Sequence, residues 1–350
     1  MPRARRSRAT ASPGKLPLRY RARLTCNPPR SDAVLVEAQV RRGPSRVGIA
    51  VIFPGQGTQV PGMGAPWRDH AAWSIVERAE AAFGEPLADL ILDAPAERLA
   101  RTREAQLCVL LTSLIAWEAI RDDVAAPVAF AGHSLGQVTA LIASGALPLE
   151  DGVRFAARRA ELTQAAADAH PGKMAALLGA TVEQAAEACA AALDGAWIAN
   201  DNAPGQVVVA GTPDGVEAAS ARAKEIGVKR ATPLNVGGAF HTPLMRDAAD
   251  ALPAELANVT FETPAAPVVS NLDAAAHSDR DDWHQRSAEH VAVPVRWRES
   301  MQTMADLGAT SFLEVGHGAM LAGLAKRTVP DLAVRGIATP EDCALLAEVG

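Results

Sequence analysis

The stretch FAGHSLGQVT, residues 130–139, decides the fold that we expect for this chain. It places Ser134 between Gly132 and Gly136, after an apolar run and before a helix-like segment. This G-x-S-x-G spacing is typical of a serine nucleophile on a tight strand-to-helix turn, where the flanking residues must be small. A glycine-rich turn with an inert serine has the same spacing, so the motif alone leaves both interpretations open.

Strand-like and helix-like segments alternate on both sides of this turn. Residues 47–53 are a Val- and Ile-rich run ending in Pro-Gly, which is typical of a buried parallel strand. Helices are predicted at about 69–84 and 104–121, and later strands at APVVSN and ATSFLEVG. The alternation predicts an α/β-hydrolase-like core with a parallel sheet.

Residues 173–236 show a different order of predicted strands and helices. Two helices, with Thr181 and Thr212 as N-caps, and four strand-like segments occur in the order β-α-β-β-α-β. That order is the ferredoxin-like pattern. We therefore expect an α/β catalytic subdomain made of residues 47–172 and 237–350, interrupted by a ferredoxin-like subdomain.

Charge is distributed unevenly along the chain. Residues 1–46 hold twelve basic and two acidic residues, whereas the rest holds 22 basic and 38 acidic ones. We expect the basic segment, which lacks apolar periodicity, to be a disordered extension. The acidic body does not favour binding to nucleic acid.

Hydropathy and cysteine usage point to a protein outside the membrane. Mean hydropathy is near zero, and no apolar run reaches the roughly 18 residues that span a bilayer. The four cysteines, Cys26, Cys108, Cys189 and Cys343, are far apart and contain no C-x-x-C pair. We expect a cytoplasmic protein with no membrane association, and no metal or redox cofactor.

A serine nucleophile needs a base and donors for the oxyanion that forms on the acyl carbonyl. Among the eight histidines, His241 lies in NVGGAFHTPLM, at the exit of the insert, where a loop can face the serine turn. His133 adjoins Ser134, so its side chain should point away. The loop FPGQG offers backbone N–H groups to an anion, or is an ordinary strand-end turn. Polar surroundings favour surface positions for His70, His277 and His284.

Three arginines follow the serine helix in GVRFAARRAEL. Arg154 and Arg158 share one helix face, and Arg159 is rotated away from them. An arginine that reaches the serine would hold a carboxylate in a bidentate fork. Surface ion pairs are the commoner use of arginine, so the spacing does not decide among the three.

Several motifs taken together resemble one family, the malonyl-CoA:acyl carrier protein transacylases, which include acyltransferase domains of fatty acid and polyketide synthesis. FPGQGTQ, GHSLG, NAPGQVVVAG and GAFHTPLM occur in the order and spacing of that family, and VPVRW and FLEVGHG resemble its later landmarks. The resemblance runs from about residue 47 to about residue 328.

The resemblance implies a role for each candidate. Ser134 is similar to the nucleophile that carries the malonyl ester, and His241 to its base. The backbone N–H groups of Gln56 and Leu135 match the oxyanion hole. Arg159 matches the arginine that pairs with the malonyl carboxylate.

Other positions matter for substrate choice and for departures from the pattern. Phe240 resembles the aromatic residue of malonyl-selective members and should crowd out a methyl branch. His290, where many members have Gln, matches the position whose backbone carbonyl orients the histidine. Gln137 replaces the usual acid after GHSLG, and His317 stands where Pro is usual.

The family resemblance implies transfer of malonyl from malonyl-CoA to an acyl carrier protein through a seryl ester, with ping-pong kinetics. We expect a monomer whose basic side chains in or near the insert contact the carrier: Lys173, Lys224, Lys229 and Arg230. The alternatives are a serine thioesterase or esterase, and a non-catalytic carrier-docking subunit.

Overall fold

The computed structural model describes residues 48–124 and 126–346, so the predicted extension at residues 1–46 lies outside the described part. The strands are β1 Ile49–Phe53, β2 Ala129–Gly132, β3 Lys173–Leu178, β4 Ala196–Ala203, β5 Gln206–Gly211, β6 Arg230–Pro233, β7 Val268–Val269, β8 Ala276–His277, β9 Ser311–Val315 and β10 Ala333–Ile337. The helices are α1 Ser74–Phe83, α2 Ala88–Leu92, α3 Ala96–Leu99, α4 Thr102–Ile120, α5 Gly136–Ala143, α6 Leu149–Ala169, α7 Val182–Ala190, α8 Pro213–Glu225, α9 Arg246–Leu256, α10 Trp283–Glu289, α11 Trp297–Asp306, α12 Met320–Thr328 and α13 Pro340–Cys343.

The larger sheet has the strand order β10-β9-β1-β2-β7-β8. Its pairs are parallel except for β7 with β8, a two-residue antiparallel edge. Successive residues of β1 point to opposite faces: Val51 and Phe53 join one apolar cluster, and Ala50 and Ile52 join another. The first cluster includes residues of α1, α4, α5, α6, α9 and α10, and the second includes residues of α11 and α12. A mostly parallel sheet covered on both faces confirms the predicted α/β core.

The smaller sheet has the order β4-β5-β3-β6, and all its pairs are antiparallel. Together with α7 and α8 it gives the chain order β-α-β-β-α-β, which confirms the predicted ferredoxin-like unit. Thr181 forms a capping box with Gln184, and the Thr212 side chain accepts a hydrogen bond from the Gly215 N–H. Both predicted N-caps are therefore present.

The two faces of the smaller sheet have different neighbours. Ala175 and Leu177 of β3 pack in one apolar cluster with α7 and α8. Met174 and Ala176 point the other way and pack with Ala239, in the segment that returns to the larger unit. The second face is therefore the one that can contribute to a site beside the larger sheet.

Some element boundaries differ from the sequence predictions. The helix expected from residue 69 begins at Ser74, because the His70 side chain accepts a hydrogen bond from the Ala72 N–H and starts a 3-10 turn at Ala71–Trp73. The strand expected at APVVSN is only Val268–Val269, since a turn closes where the Ala274 N–H donates to the Ser270 carbonyl. No helix in the described part of the chain is long and apolar enough to cross a membrane.

Candidate active site

Ser134 lies on the turn between β2 and α5. Its φ of 53° is in the left-handed region, which a non-glycine residue rarely adopts. A Cβ atom on Gly132 would lie 1.8 Å from the Gly136 carbonyl oxygen, so this close approach requires glycine. The turn presents the serine hydroxyl at the carboxyl end of a central parallel strand, where open α/β sheets bind ligands.

His241 lies within hydrogen-bond distance of the serine. Its Nε2 is 2.7 Å from Ser134 Oγ, and its Nδ1 is 3.0 Å from the backbone carbonyl oxygen of His290. A carbonyl only accepts hydrogen bonds, so Nδ1 carries the proton and donates it. In the neutral ring Nε2 then has its lone pair directed at the serine hydroxyl, the arrangement required of a general base.

Electrostatics keep the His241 imidazole neutral. Burial, and after it the positive charge of Arg159, lower the pKa of His241 from 6.5 to about 3, although the hydrogen bond to His290 opposes the shift. Burial also lowers the pKa of His290, whose ring centroid is 5.1 Å from that of His241. A neutral base is therefore available throughout the neutral pH range.

Arg159 on α6 is the arginine that faces the serine. Its side chain is 3% exposed, its Nη2 lies 3.3 Å from Ser134 Oγ, and its Nη1 donates to Gln106 Oε1 at 2.7 Å. Burial lowers its pKa to about 10, so the guanidinium stays charged at neutral pH. In contrast, Arg154 and Arg158 are exposed and form ion pairs.

Arg159 has no ion-pair partner among the described residues. A buried cation without a countercharge is costly. Its Nη2 points at the serine, where a ligand carboxylate would supply the missing charge. The site is therefore built to receive an anion beside the nucleophile.

The loop that carries Gln56 packs directly on the serine turn. A Cβ atom on Gly55 would lie 2.4 Å from the His133 carbonyl oxygen, so the two backbones are in close contact. Leu135 is fully buried at the start of α5. Within residues 48–124 and 126–346, neither the Gln56 N–H nor the Leu135 N–H donates a hydrogen bond, which leaves both available to an oxyanion.

A cavity of about 220 Å³ connects these groups. Ser134, His241 and Arg159 line it from the larger unit, together with Phe240 and Gln56. The smaller sheet and the residues just after β6 contribute a largely apolar wall made of Met174, Ala176, Asn200, Asn202, Gln206, Val208, Leu234 and Val236. The cavity thus lies between the two sheets and has one polar, reactive end.

Other candidate residues lie apart from the reacting atoms. The His133 ring also borders the cavity, but its Nε2 is bonded to Asn202 Oδ1 at 2.8 Å. His317 is half-buried in the turn after β9 and is not among the cavity-lining residues. Gln137 is buried one helical turn after Ser134.

Sequence reasoning missed Gln106, which lines the cavity and holds Arg159. The signal that could have found it is its position directly before the apolar stretch LCVLL of helix α4. The described residues contain no group of three or more His, Cys, Asp or Glu side chains placed to hold a metal ion.

Comparison with known proteins places this site in a family. Residues 50–346 match the family model described as acyl transferase domain. The malonyl CoA-acyl carrier protein transacylase of Bacillus subtilis is 38% identical over 298 residues, which are 84% of this chain and 94% of that protein.

Solved structures agree with the sequence matches. An acyl-carrier-protein S-malonyltransferase from Burkholderia pseudomallei superposes with a TM-score of 0.82 at 37% identity, covering 86% of this chain and 100% of that one. A malonyl-transacylase in complex with its type II polyketide acyl-carrier protein superposes with a TM-score of 0.83 at 32% identity, covering 87% and 100%. The chain therefore belongs to the acyl transferase domain family and, within it, to the malonyl CoA-acyl carrier protein transacylases.

Proposed function

We propose that the protein transfers a malonyl group from malonyl-CoA to the phosphopantetheine thiol of an acyl carrier protein. The observation that carries this proposal is Arg159, a buried guanidinium without an ion-pair partner in the described structure, 3.3 Å from Ser134 Oγ. A carboxylate on the acyl group would complete its charge pair. Simple esterases need no arginine to bind a carboxylate on the acyl group, so the hydrolase alternative is disfavoured. The reaction supplies malonyl units for fatty acid and polyketide synthesis.

In the first half-reaction His241 Nε2 takes the proton of Ser134 Oγ while Oγ attacks the thioester carbonyl carbon. The backbone N–H groups of Gln56 and Leu135 stabilise the resulting oxyanion. When the carbonyl re-forms, the carbon–sulfur bond breaks and the imidazolium gives its proton to the CoA thiolate. The products are malonyl-Ser134 and free CoA.

In the second half-reaction the carrier thiol gives its proton to His241 and its sulfur attacks the seryl ester. The carbon–oxygen bond breaks, and His241 returns the proton to Ser134 Oγ. Arg159 holds the malonyl carboxylate throughout both steps, which fixes the carbonyl over the reacting atoms. No step requires a metal or redox cofactor.

The carrier would approach over the smaller sheet. Arg230 pairs with Leu178 in β3, and this register places it on the cavity face with Met174 and Ala176. Lys224 belongs to α8, which packs on the opposite face. Arg327, which sequence reasoning missed, donates to Gln206 Oε1 at 2.6 Å on the cavity rim. We propose Arg230 and Arg327 as the contacts for an acidic carrier.

We further propose that the two units have the boundaries predicted from sequence, residues 47–172 with 237–350 and residues 173–236. We also propose that the protein acts as a monomer, because one chain supplies the serine, histidine, arginine and cavity wall.

Intact-mass analysis tests the proposed function. Incubation with malonyl-CoA should add one malonyl group to the wild-type chain and none to Ser134→Ala. Subsequent addition of carrier protein should move the adduct to the carrier. Loss of the adduct to water in the presence of carrier would identify a hydrolase instead. Failure to form any adduct would identify a non-catalytic protein.

A further inference from the structure

One asparagine joins the two ends of the serine turn. The Asn271 side chain accepts a hydrogen bond from the Ser134 N–H at 2.8 Å and donates one to the Gly132 carbonyl at 2.8 Å. The partners fix the orientation of the amide, because an N–H requires the oxygen and a carbonyl requires the nitrogen. Asn271 follows β7, the strand beside β2, so its position at the turn follows from the sheet order.

Asn271 is itself held by Gln137. The backbone N–H of Asn271 donates to Gln137 Oε1 at 2.7 Å, and both residues are buried. Gln137 lies in the first turn of α5, and its own N–H donates to the Ser134 carbonyl at 3.1 Å. The hydrogen bonds therefore close a ring from Ser134 to Gln137, to Asn271 and back to Ser134.

From this ring we infer that Gln137 and Asn271 are positioning residues for the nucleophile, an inference that rests on the proposed function. Ser134 has a φ of 53°, and such a conformation persists only where its surroundings fix it. The ring fixes the Ser134 backbone on both its N–H and carbonyl sides. It thereby sets the direction of Oγ toward His241 and the placement of the Leu135 N–H.

Position 137 requires a side chain long enough to place a hydrogen-bond acceptor beside the Asn271 N–H. Gln and Glu both supply that oxygen, whereas Met has a similar shape and supplies none. This explains how the chain accommodates an amide at the position where it departs from the family pattern. Gln137→Glu is therefore a conservative variant that should preserve the hydrogen bonds of the ring.

The test measures acylation of Ser134 by malonyl-CoA as burst release of CoA, with kcat and KM determined separately. Gln137→Met should slow acylation about 10- to 100-fold with KM little changed, because a small misplacement of a nucleophile has this effect. Gln137→Glu should stay near the wild-type rate. Ser270→Ala is the matched control, since the hydroxyl of the buried Ser270 accepts a partly buried hydrogen bond from the Leu272 N–H beside Asn271, and its removal leaves the ring intact.

A wild-type rate in Gln137→Met, or an equal loss in Ser270→Ala, would overturn the inference. If Gln137→Met does not fold, Asn271→Ala decides, because it removes the acceptor for the Ser134 N–H and so breaks the ring at its other side. The same loss of kcat is expected there, and an unchanged kcat refutes the ring. Failure of the proposed function is distinguishable, since the wild-type chain would then form no malonyl adduct.

Discussion

Both reacting side chains stand on backbone in an unusual conformation. Ser134 has a φ of 53° and His241 a φ of 62°, and neither is glycine. Such residues cost about 1–3 kcal/mol each and are found where function needs the geometry. The left-handed turns direct Oγ and Nε2 toward each other from two separate segments.

Arg159 is the residue whose removal should separate substrates most sharply. We expect Arg159→Ala to lose about 2–5 kcal/mol of transition-state stabilisation for malonyl transfer, the usual cost of truncating one member of a buried charge pair. Acetyl transfer should lose far less, because acetyl has no carboxylate. The ratio of kcat/KM for the two acyl-CoA substrates measures the effect, and the exposed Arg158→Ala is the control. An equal loss for both substrates would contradict the proposal that Arg159 binds the malonyl carboxylate.

Phe240 should select against a branched acyl group. Its half-buried ring lines the cavity next to His241. Phe240→Ser should increase the preference for methylmalonyl-CoA relative to malonyl-CoA, because it makes room for a methyl group at C2. Competition between the two substrates, read as the mass of the seryl adduct, measures the ratio. An unchanged ratio would remove Phe240 from substrate selection.

Among the individual site residues, the sequence predicted those that belong to contiguous motifs. Ser134 lies between Gly132 and Gly136, as its tight turn requires, and His241 closely follows the glycines of NVGGAFHTPLM, which free the backbone there. Gln106 and Asn271 were not predicted, because each is one polar residue that acts only through a neighbour from a distant segment.

The smaller sheet determines which side chains a partner protein would contact beside the cavity. Because β3 and β6 are antiparallel, residues opposite one another share a face, which places Arg230 on the cavity side.

Charge reversal on the two faces of this sheet should therefore have unequal effects. Arg230→Glu should raise the KM for carrier protein about fivefold, corresponding to the roughly 1 kcal/mol of an exposed charge contact. Lys224→Glu, the matched control on the far face, should change it little. Steady-state kinetics at low and high salt provide the measurement, and the difference should shrink with salt. Equal effects of the two variants would rule out this docking face.

Elements marked by caps, turns or apolar runs in their own sequence were predictable. Elements that form only by pairing with another strand were not. The insert has N-caps and a Pro-Gly turn in its own sequence, and its six elements were found. Strand β10 contains Arg335 and Gly336 and is largely exposed or half-buried, so it lacks the apolar run by which a strand is recognised. It forms because β9 offers a free parallel edge.

At the scale of the molecule, three histidines in the described part of the chain are buried and held neutral. Burial lowers the pKa of His133, His241 and His290 below the ordinary value of 6.5. In the unfolded chain they would titrate near that ordinary value. Below it the unfolded state binds more protons than the folded state, so the free energy of unfolding falls as pH falls.

This linkage predicts a loss of stability in mild acid. Each such histidine should contribute about 1.4 kcal/mol per pH unit below pH 6.5, down to its folded-state pKa, which for His241 is about 3. His290→Gln should reduce this pH dependence by the contribution of one histidine. Urea unfolding at pH 7.5 and pH 5.5 measures the slope. An identical slope in His290→Gln would contradict the assignment.

The cavity itself could not be predicted from sequence. Its lining comes from segments as distant as Gln56 and Met320, and their meeting depends on how the two sheets pack. The order of motifs identified the family, whereas the apolar wall follows from alternate residues of β3, β4 and β5, which no motif marks.

The smaller sheet walls the cavity but supplies none of the groups that make or break bonds. Ser134, His241 and Arg159 all come from the segments before and after it. Along its length the chain thus separates the reacting groups from much of the cavity wall. Exchange of one contiguous stretch between related chains is therefore a route by which partner preference could diverge while the chemistry is inherited unchanged.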